Sequence, residues 1–179
     1  LEVNNKIVWH SCYIYITCPT YPGAFRQCAK SAKAKFVGPS KITKWADNSD
    51  IAFRNSVGFN KKTGTLSVPK SGFYYVYSQI HFIQVKHSAH DRTPNSNSLT
   101  HTIMRTHLRY YPEEMLKRRQ SQCWVTNKLY SEYTSYMGGI MNLRQGDEVF
   151  VEVSNKSMIS NQSKMNFFGL FYVSPNERP

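Results

Sequence analysis

A chain of 179 residues with 40% hydrophobic content is short for several domains and too apolar for a disordered tail, and it can bury a core without metals or disulfides. Its formal net charge of +12, from 23 Lys+Arg against 11 Asp+Glu, fits either attraction to polyanions or an acidic partner, or simply a basic, soluble surface. No basic recognition helix, zinc finger or aromatic RNA-binding signature accompanies that charge, so nucleic acid is not an expected partner.

Taken in chain order, the first 33 residues read as an N-terminal extension or stalk remnant. Ile7-Val8-Trp9 and Tyr13-Ile14-Tyr15-Ile16 are candidate short strands, and Pro19, Pro22 and Gly23 prevent the second from continuing. Three of the four cysteines, Cys12, Cys18 and Cys28, fall here, and Cys123 stands alone. Two disulfides, or one bridge with free thiols, both fit that spacing. No apolar run approaches the ~20 residues of a membrane span. The first residues do not read as a secretory leader, so export would rest on a segment outside this sequence.

From residue 34 onward, short strand signals alternate with turn signals, as in a sandwich or barrel. Candidate strands cover 34–37, 51–54, 57–60 and 65–68. Lys61-Lys62-Thr63-Gly64 forms a hairpin turn with Gly64 free to take positive φ. The longest candidate covers 73–85. Phe73, Tyr75, Tyr77, Gln79, His81 and Ile83 share one face, while Tyr74, Val76, Ser78, Ile80 and Phe82 share the other. Both faces are bulky and apolar, so one packs inside a sandwich and the other needs a second chain or stays exposed. A polar loop covers 87–98, a strand 99–110, a charged loop 112–122 and a short strand 123–125. A long strand over 130–143 is interrupted at Gly138-Gly139 by a bulge or a close backbone approach. Strands over 148–153 and 165–173 flank a loop at 155–164. Roughly eight to ten strands without a helical stripe predict an all-β sandwich, most simply a jelly roll. The body spans 34–175, with a tail at 176–179.

Three blocks carry a family likeness. Trp45, Ala52-Phe53-Arg54-Asn55, Gly64-Thr65-Leu66-Ser67-Val68-Pro69 and Gly72-Phe73-Tyr74-Tyr75-Val76-Tyr77-Ser78-Gln79 form the first. Tyr136-Met137-Gly138-Gly139-Ile140, with Leu143, Gly146-Asp147 and Val149, forms the second, and Phe167-Phe168-Gly169-Leu170 closes the chain. Together they resemble the tumour necrosis factor ligand family. Cys123-Trp124, Leu129-Tyr130-Ser131 and Tyr111-Pro112 resemble an apoptosis-inducing member in particular.

That resemblance implies a homotrimeric jelly roll that acts outside the cell, secreted or as the ectodomain of a membrane protein. It implies binding and clustering of receptors of the tumour necrosis factor receptor type, through their cysteine-rich ectodomains, with apoptotic or immune signalling as the output. It places Tyr77, Gln79, Tyr136, Phe167 and Phe168 at the trimer interface; ordinary sandwich core is the alternative for these aromatics. It places receptor contacts at Tyr111 and Pro112, at the basic run Lys117, Arg118 and Arg119, and at Ser160, Asn161 and Gln162. In the last loop the related member is acidic, so shared receptors do not follow. The basic run would steer an acidic receptor or hold a heparin-like glycan, or be a solvated loop. Cys123 is implied as a ligand to an axial zinc, three thiolates meeting on the three-fold axis; a buried free thiol or a disulfide to the extension are the alternatives. Asn155-Lys156-Ser157 and Asn161-Gln162-Ser163 fit the N-glycosylation pattern.

A complement-like or lectin-like jelly roll binding polyanionic glycans is the second functional reading. Catalysis is not expected. His81, His87, His90, His101 and His107 lack a paired His-x-His plus Glu pattern, and no nucleophile elbow or phosphate-binding Gly loop is present.

Overall fold

The computed structural model describes residues 11–16, 39–46, 52–85, 97–108, 110–122 and 130–176. The strands expected at 34–37 and 123–125, most of the 87–98 loop, Cys18, Cys28, Cys123 and the side chain of Cys12 lie outside the described residues.

Twelve antiparallel strands are described: β1 (Ser11–Ile16), β2 (Ser40–Lys41), β3 (Trp45–Ala46), β4 (Phe53–Asn55), β5 (Gly58–Asn60), β6 (Thr65–Ser67), β7 (Gly72–Val85), β8 (Asn97–His107), β9 (Glu113–Gln122), β10 (Tyr130–Leu143), β11 (Asp147–Val153) and β12 (Phe167–Ser174). They form two sheets. The first runs β10-β7-β12-β1-β3, with β4 also on β1, and the second runs β5-β6-β11-β8-β9, with β2 also on β11. From β7 to β8, β9 to β10, β10 to β11 and β11 to β12 the chain crosses between sheets, which is the jelly-roll winding. Among the described residues no helix is long and apolar enough to cross a membrane.

Strand β1, two residues longer than the 13–16 strand expected within an extension, pairs with β12 from Ser11↔Phe171 to Tyr15↔Phe167 and is an inner strand of the first sheet. The charged segment 112–122 is not a loop but the edge strand β9, paired to β8 from Asn97↔Gln122 to Arg105↔Glu113. Its charges are compatible with a strand because an edge leaves half of the backbone and one face in water. The segment 155–164 holds two 3₁₀ turns, Lys156–Met158 and Ser163–Met165.

The hairpin turn after β5 shows why particular residues stand there. The carboxamide oxygen of Asn60 accepts the N–H groups of Lys62 and Thr63 at 3.0 and 3.3 Å. Gly64 takes φ of 66°, and a Cβ there would lie 2.5 Å from the Ile42 carbonyl oxygen. Only glycine meets both demands.

The period-two pattern of β7 separates its two faces as expected. Tyr74, Val76, Ile80 and Phe82 are buried between the sheets with Leu66, Leu99, Ile103, Leu143, Val149, Val151, Val153, Phe168 and Leu170. Each large apolar side chain so buried contributes about 1.5–3 kcal/mol. A polar contact crosses this core. The His101 ring on β8 has the hydroxyls of Ser78 on β7 and Ser135 on β10 at 3.0 Å from its two nitrogens, which links the sheets. Burial pushes its pKa down to about 3; a hydrogen bond with Ser135 opposes that shift and the nearby Arg118 charge adds to it.

Candidate functional site

The other face of the first sheet carries a feature that the described residues leave uncovered. Strand register sets Tyr77 between Gly169 of β12 and Gly138 of β10. With no side chain on either flank, the neighbouring rings can spread across the sheet. Tyr75 lies 6.1 Å from Tyr77 and 5.3 Å from Phe171, centroid to centroid. Tyr77 lies 6.2 Å from Phe167, and Phe167 lies 6.4 Å from Tyr136. The hydroxyls of Tyr75 and Tyr136 meet at 3.3 Å, and that hydrogen bond is the first cause of a raised Tyr136 pKa, followed by burial. Tyr136 stays 43% exposed and Ile140 61% exposed. The result is a contiguous aromatic surface on one side of a folded subunit, the kind of patch that marks a protein interface.

Gly138-Gly139 does not interrupt β10. Its register with β7 runs unbroken from Tyr130↔Val85 to Leu143↔Gly72, so no bulge is present. The close approach is what the glycine serves: a Cβ on Gly138 would sit 2.5 Å from the Tyr75 hydroxyl.

Of the residues assigned to this face by sequence, Tyr77, Gln79, Tyr136 and Phe167 lie on it. Phe168 does not. Strand alternation turns it the opposite way, where it is fully buried and packs 5.7 Å from the Trp45 ring. Gln79 also binds inward along the chain, donating from Nε2 to the Met165 carbonyl at 3.1 Å. Tyr75 and Phe171 were missed. The alternation that groups Tyr75 with Tyr77, and Phe171 with Phe167, was the available signal.

The residues assigned to receptor contact fall along the length of the molecule. Tyr111 is 95% exposed, with exposed Pro112 beside it, at the end where β8 leaves the second sheet. That end also holds the turn from Leu143 to Asp147 and the start of β7 at Gly72. Asn161 and Gln162 are exposed at the opposite end, where the Ser160 N–H donates to the His81 carbonyl at 2.7 Å. Nine residue steps along β7, from Gly72 to His81, separate these ends, about 30 Å at the usual strand rise. Ser160 is a correction: it is buried at 4% exposure, and its hydroxyl accepts the Gln162 N–H at 3.1 Å. It shapes the loop and presents no side chain to a partner.

The basic run lies between the two ends on β9. Arg118 reaches over the sandwich edge to the Tyr133 hydroxyl at 2.8 Å and the Tyr136 carbonyl at 3.4 Å. Lys117 pairs with Glu114 at 2.7 Å, and Arg119 donates to the Ser98 hydroxyl. Arg118 thus fastens the edge of one sheet to the other. Cys123 lies outside the described residues, and among those described no group of three or more His, Cys, Asp or Glu could hold a metal.

Sequence reasoning also missed Asn166, which is fully buried. Its carboxamide oxygen accepts the His81 N–H at 2.8 Å, and its nitrogen donates to the carbonyls of Ser160 and Gln162 at 3.0 Å each. One side chain thereby moors the whole loop before β12 to β7.

Comparison with known proteins places this geometry in context. The model of the TNF (tumour necrosis factor) family matches residues 43–173. Tumor necrosis factor ligand superfamily member 10 of Mus musculus is 29% identical over 140 residues, covering 75% of this chain and 47% of that protein. Member 6 of the same superfamily from Rattus norvegicus is 27% identical over 127 residues, covering 71% and 42%. Member 6 from Homo sapiens is 25% identical over the same length and shares. The chain spans less than half the length of these relatives.

Proposed function

Starting from the fact that this chain belongs to the tumour necrosis factor family, we propose that it is the receptor-binding domain of an extracellular cytokine. Three copies assemble through the aromatic face of the first sheet. The trimer then gathers receptors of the tumour necrosis factor receptor type and signals by bringing them together. The observation that carries this reading is the half-exposed cluster of Tyr75, Tyr77, Tyr136, Phe167 and Phe171 on a subunit whose opposite sheet face is already a closed core. Only a second surface can dry it, and cyclic assembly covers it equally on every copy.

An elongated receptor lying along a subunit would meet Tyr111 at one end and the Asn161 loop at the other. Tyr111 supplies the anchor, since a fully exposed aromatic has most to gain from entering a pocket. Exposed Lys117 and Arg119 would steer an acidic partner or a heparin-like glycan, affecting association rate more than affinity. Each bound receptor raises the effective concentration seen by the next, so avidity follows from geometry without new contacts. The direct test is molar mass by light scattering at micromolar concentration, followed by capture on a panel of cysteine-rich receptor ectodomains. A trimer that captures one of them is expected; a monomer with wet tyrosines removes the reading.

Cys123 as an axial zinc ligand is carried by the family resemblance alone. Metal analysis of freshly purified, reduced protein should give about one zinc for every three chains, and metal-free trimers would end that idea.

A further inference from the structure

Two N-glycosylation patterns stand in the segment between β11 and β12, and the fold treats them differently. Asn155 is half-buried. Its carboxamide oxygen accepts both the N–H and the hydroxyl of Ser157, at 2.9 and 2.7 Å, and so caps the first 3₁₀ turn. Its neighbour Ser154 is tied to β8, accepting the Thr100 N–H at 3.0 Å. A sugar on the Asn155 nitrogen would have to fit a half-buried position.

Asn161, by contrast, is exposed. The backbone beneath it is held by Ser160 bonded to His81 and by Asn166 bonded to the carbonyls on either side. Ser160 therefore faces inward and Asn161 and Gln162 face water, between the two 3₁₀ turns. We infer that Asn161 is an N-glycan attachment site and that Asn155 is not. The inference rests on the reading of the chain as an exported domain.

The chemistry is a substitution without redox change. The Asn161 side-chain nitrogen forms a bond to the anomeric carbon of a lipid-linked oligosaccharide. The bond from that carbon to the pyrophosphate oxygen breaks, the lipid pyrophosphate leaves with the electron pair, and the amide nitrogen gives up one proton. A glycan there lies at the end of the sandwich away from Tyr111. It would cover the Asn161 loop, so the glycosylated chain would meet its receptor through the Tyr111 end in place of the proposed two-ended contact.

The test is secretion of the chain from a eukaryotic host, with intact mass measured before and after peptide-N-glycosidase. One glycan is expected on the unaltered chain. It should persist in Asn155→Gln and vanish in both Asn161→Gln and Ser163→Ala, the second removing the pattern without touching the acceptor. A secreted chain without glycan overturns the assignment, as does a second glycan at Asn155 or one lost only in Asn155→Gln. Light scattering on the same samples separates the two ideas: a bare trimer refutes the glycan alone, and a glycosylated monomer refutes the trimer alone.

Discussion

His101 shows how much one side chain can fix. A neutral imidazole between Ser78 and Ser135 satisfies every polar atom it brings into the core. A charged one would stand in low dielectric near Arg118, which is why its pKa falls to about 3. The unfolded chain keeps a histidine near its usual value of about 6.5. Between those values the unfolded state binds more protons, so the stability this group provides is complete above the unfolded pKa and is lost as pH falls toward 3. The slope approaches about 1.4 kcal/mol per pH unit. Urea midpoints should drop between pH 6.5 and 4, and His101→Gln, neutral throughout, should flatten that drop. An equal slope in the variant would assign the acid sensitivity to other groups.

Tyr111 makes the opposite case, a side chain with almost no neighbours of its own. Truncation costs the fold little, because 95% of the residue is already in water. If it anchors a receptor, Tyr111→Ala should weaken binding by about 2 kcal/mol, roughly 30-fold, with the assembly mass unchanged. Undiminished capture by the variant would move the receptor site elsewhere.

Among the elements, the long strands were legible and the tethers between them were not. Alternation in β7 announced both faces, because a sheet buried on one side imposes period two on its residues. The second face of β10 could have been read in the same way, but Gly138-Gly139 looked like an interruption. Glycine in a strand has two uses, and only the position of Tyr75 across the ladder decides between them. β9 was hidden by its charge, since an edge strand need not be apolar. β1 was legible as a strand at 13–16, but its place in the sandwich was hidden by distance along the chain, its partner β12 being the final strand. Phe168 followed from resemblance into the interface list although its neighbour Phe167 already occupied that side of the strand. Asn166 had no signal at all: a single Asn beside Phe167 looks the same whether it caps a loop or faces water. Its role predicts a measurable cost. Asn166→Ala would leave the His81 N–H and two loop carbonyls without partners, at about 1–3 kcal/mol for each group that stays buried. Denaturant unfolding should show that loss, with faster amide exchange concentrated over residues 160–165. Exchange unchanged there would mean the loop is held by other contacts.

At the scale of the whole molecule the sandwich is closed on one face of its first sheet and open on the other. The closed face joins the two sheets through Ile80, Phe168 and Leu170 and makes each subunit fold. Among the described residues the open face packs against no second sheet, and its tyrosines combine apolar rings with hydroxyls that tolerate water. This division predicts that assembly can be broken without breaking the fold. Tyr136 is the residue to change, because it is partly exposed in a single subunit and yet touches Phe167 and Tyr75. An aspartate there stays hydrated in the monomer, where it harms little. In the proposed trimer it would be taken from water against aromatic rings, with two like charges close by if the position nears the three-fold axis. Tyr136→Asp should therefore give a folded monomer by light scattering and circular dichroism, while Tyr136→Phe, which keeps the ring, remains a trimer. A trimer unmoved by the aspartate would show that the subunits meet through some other surface.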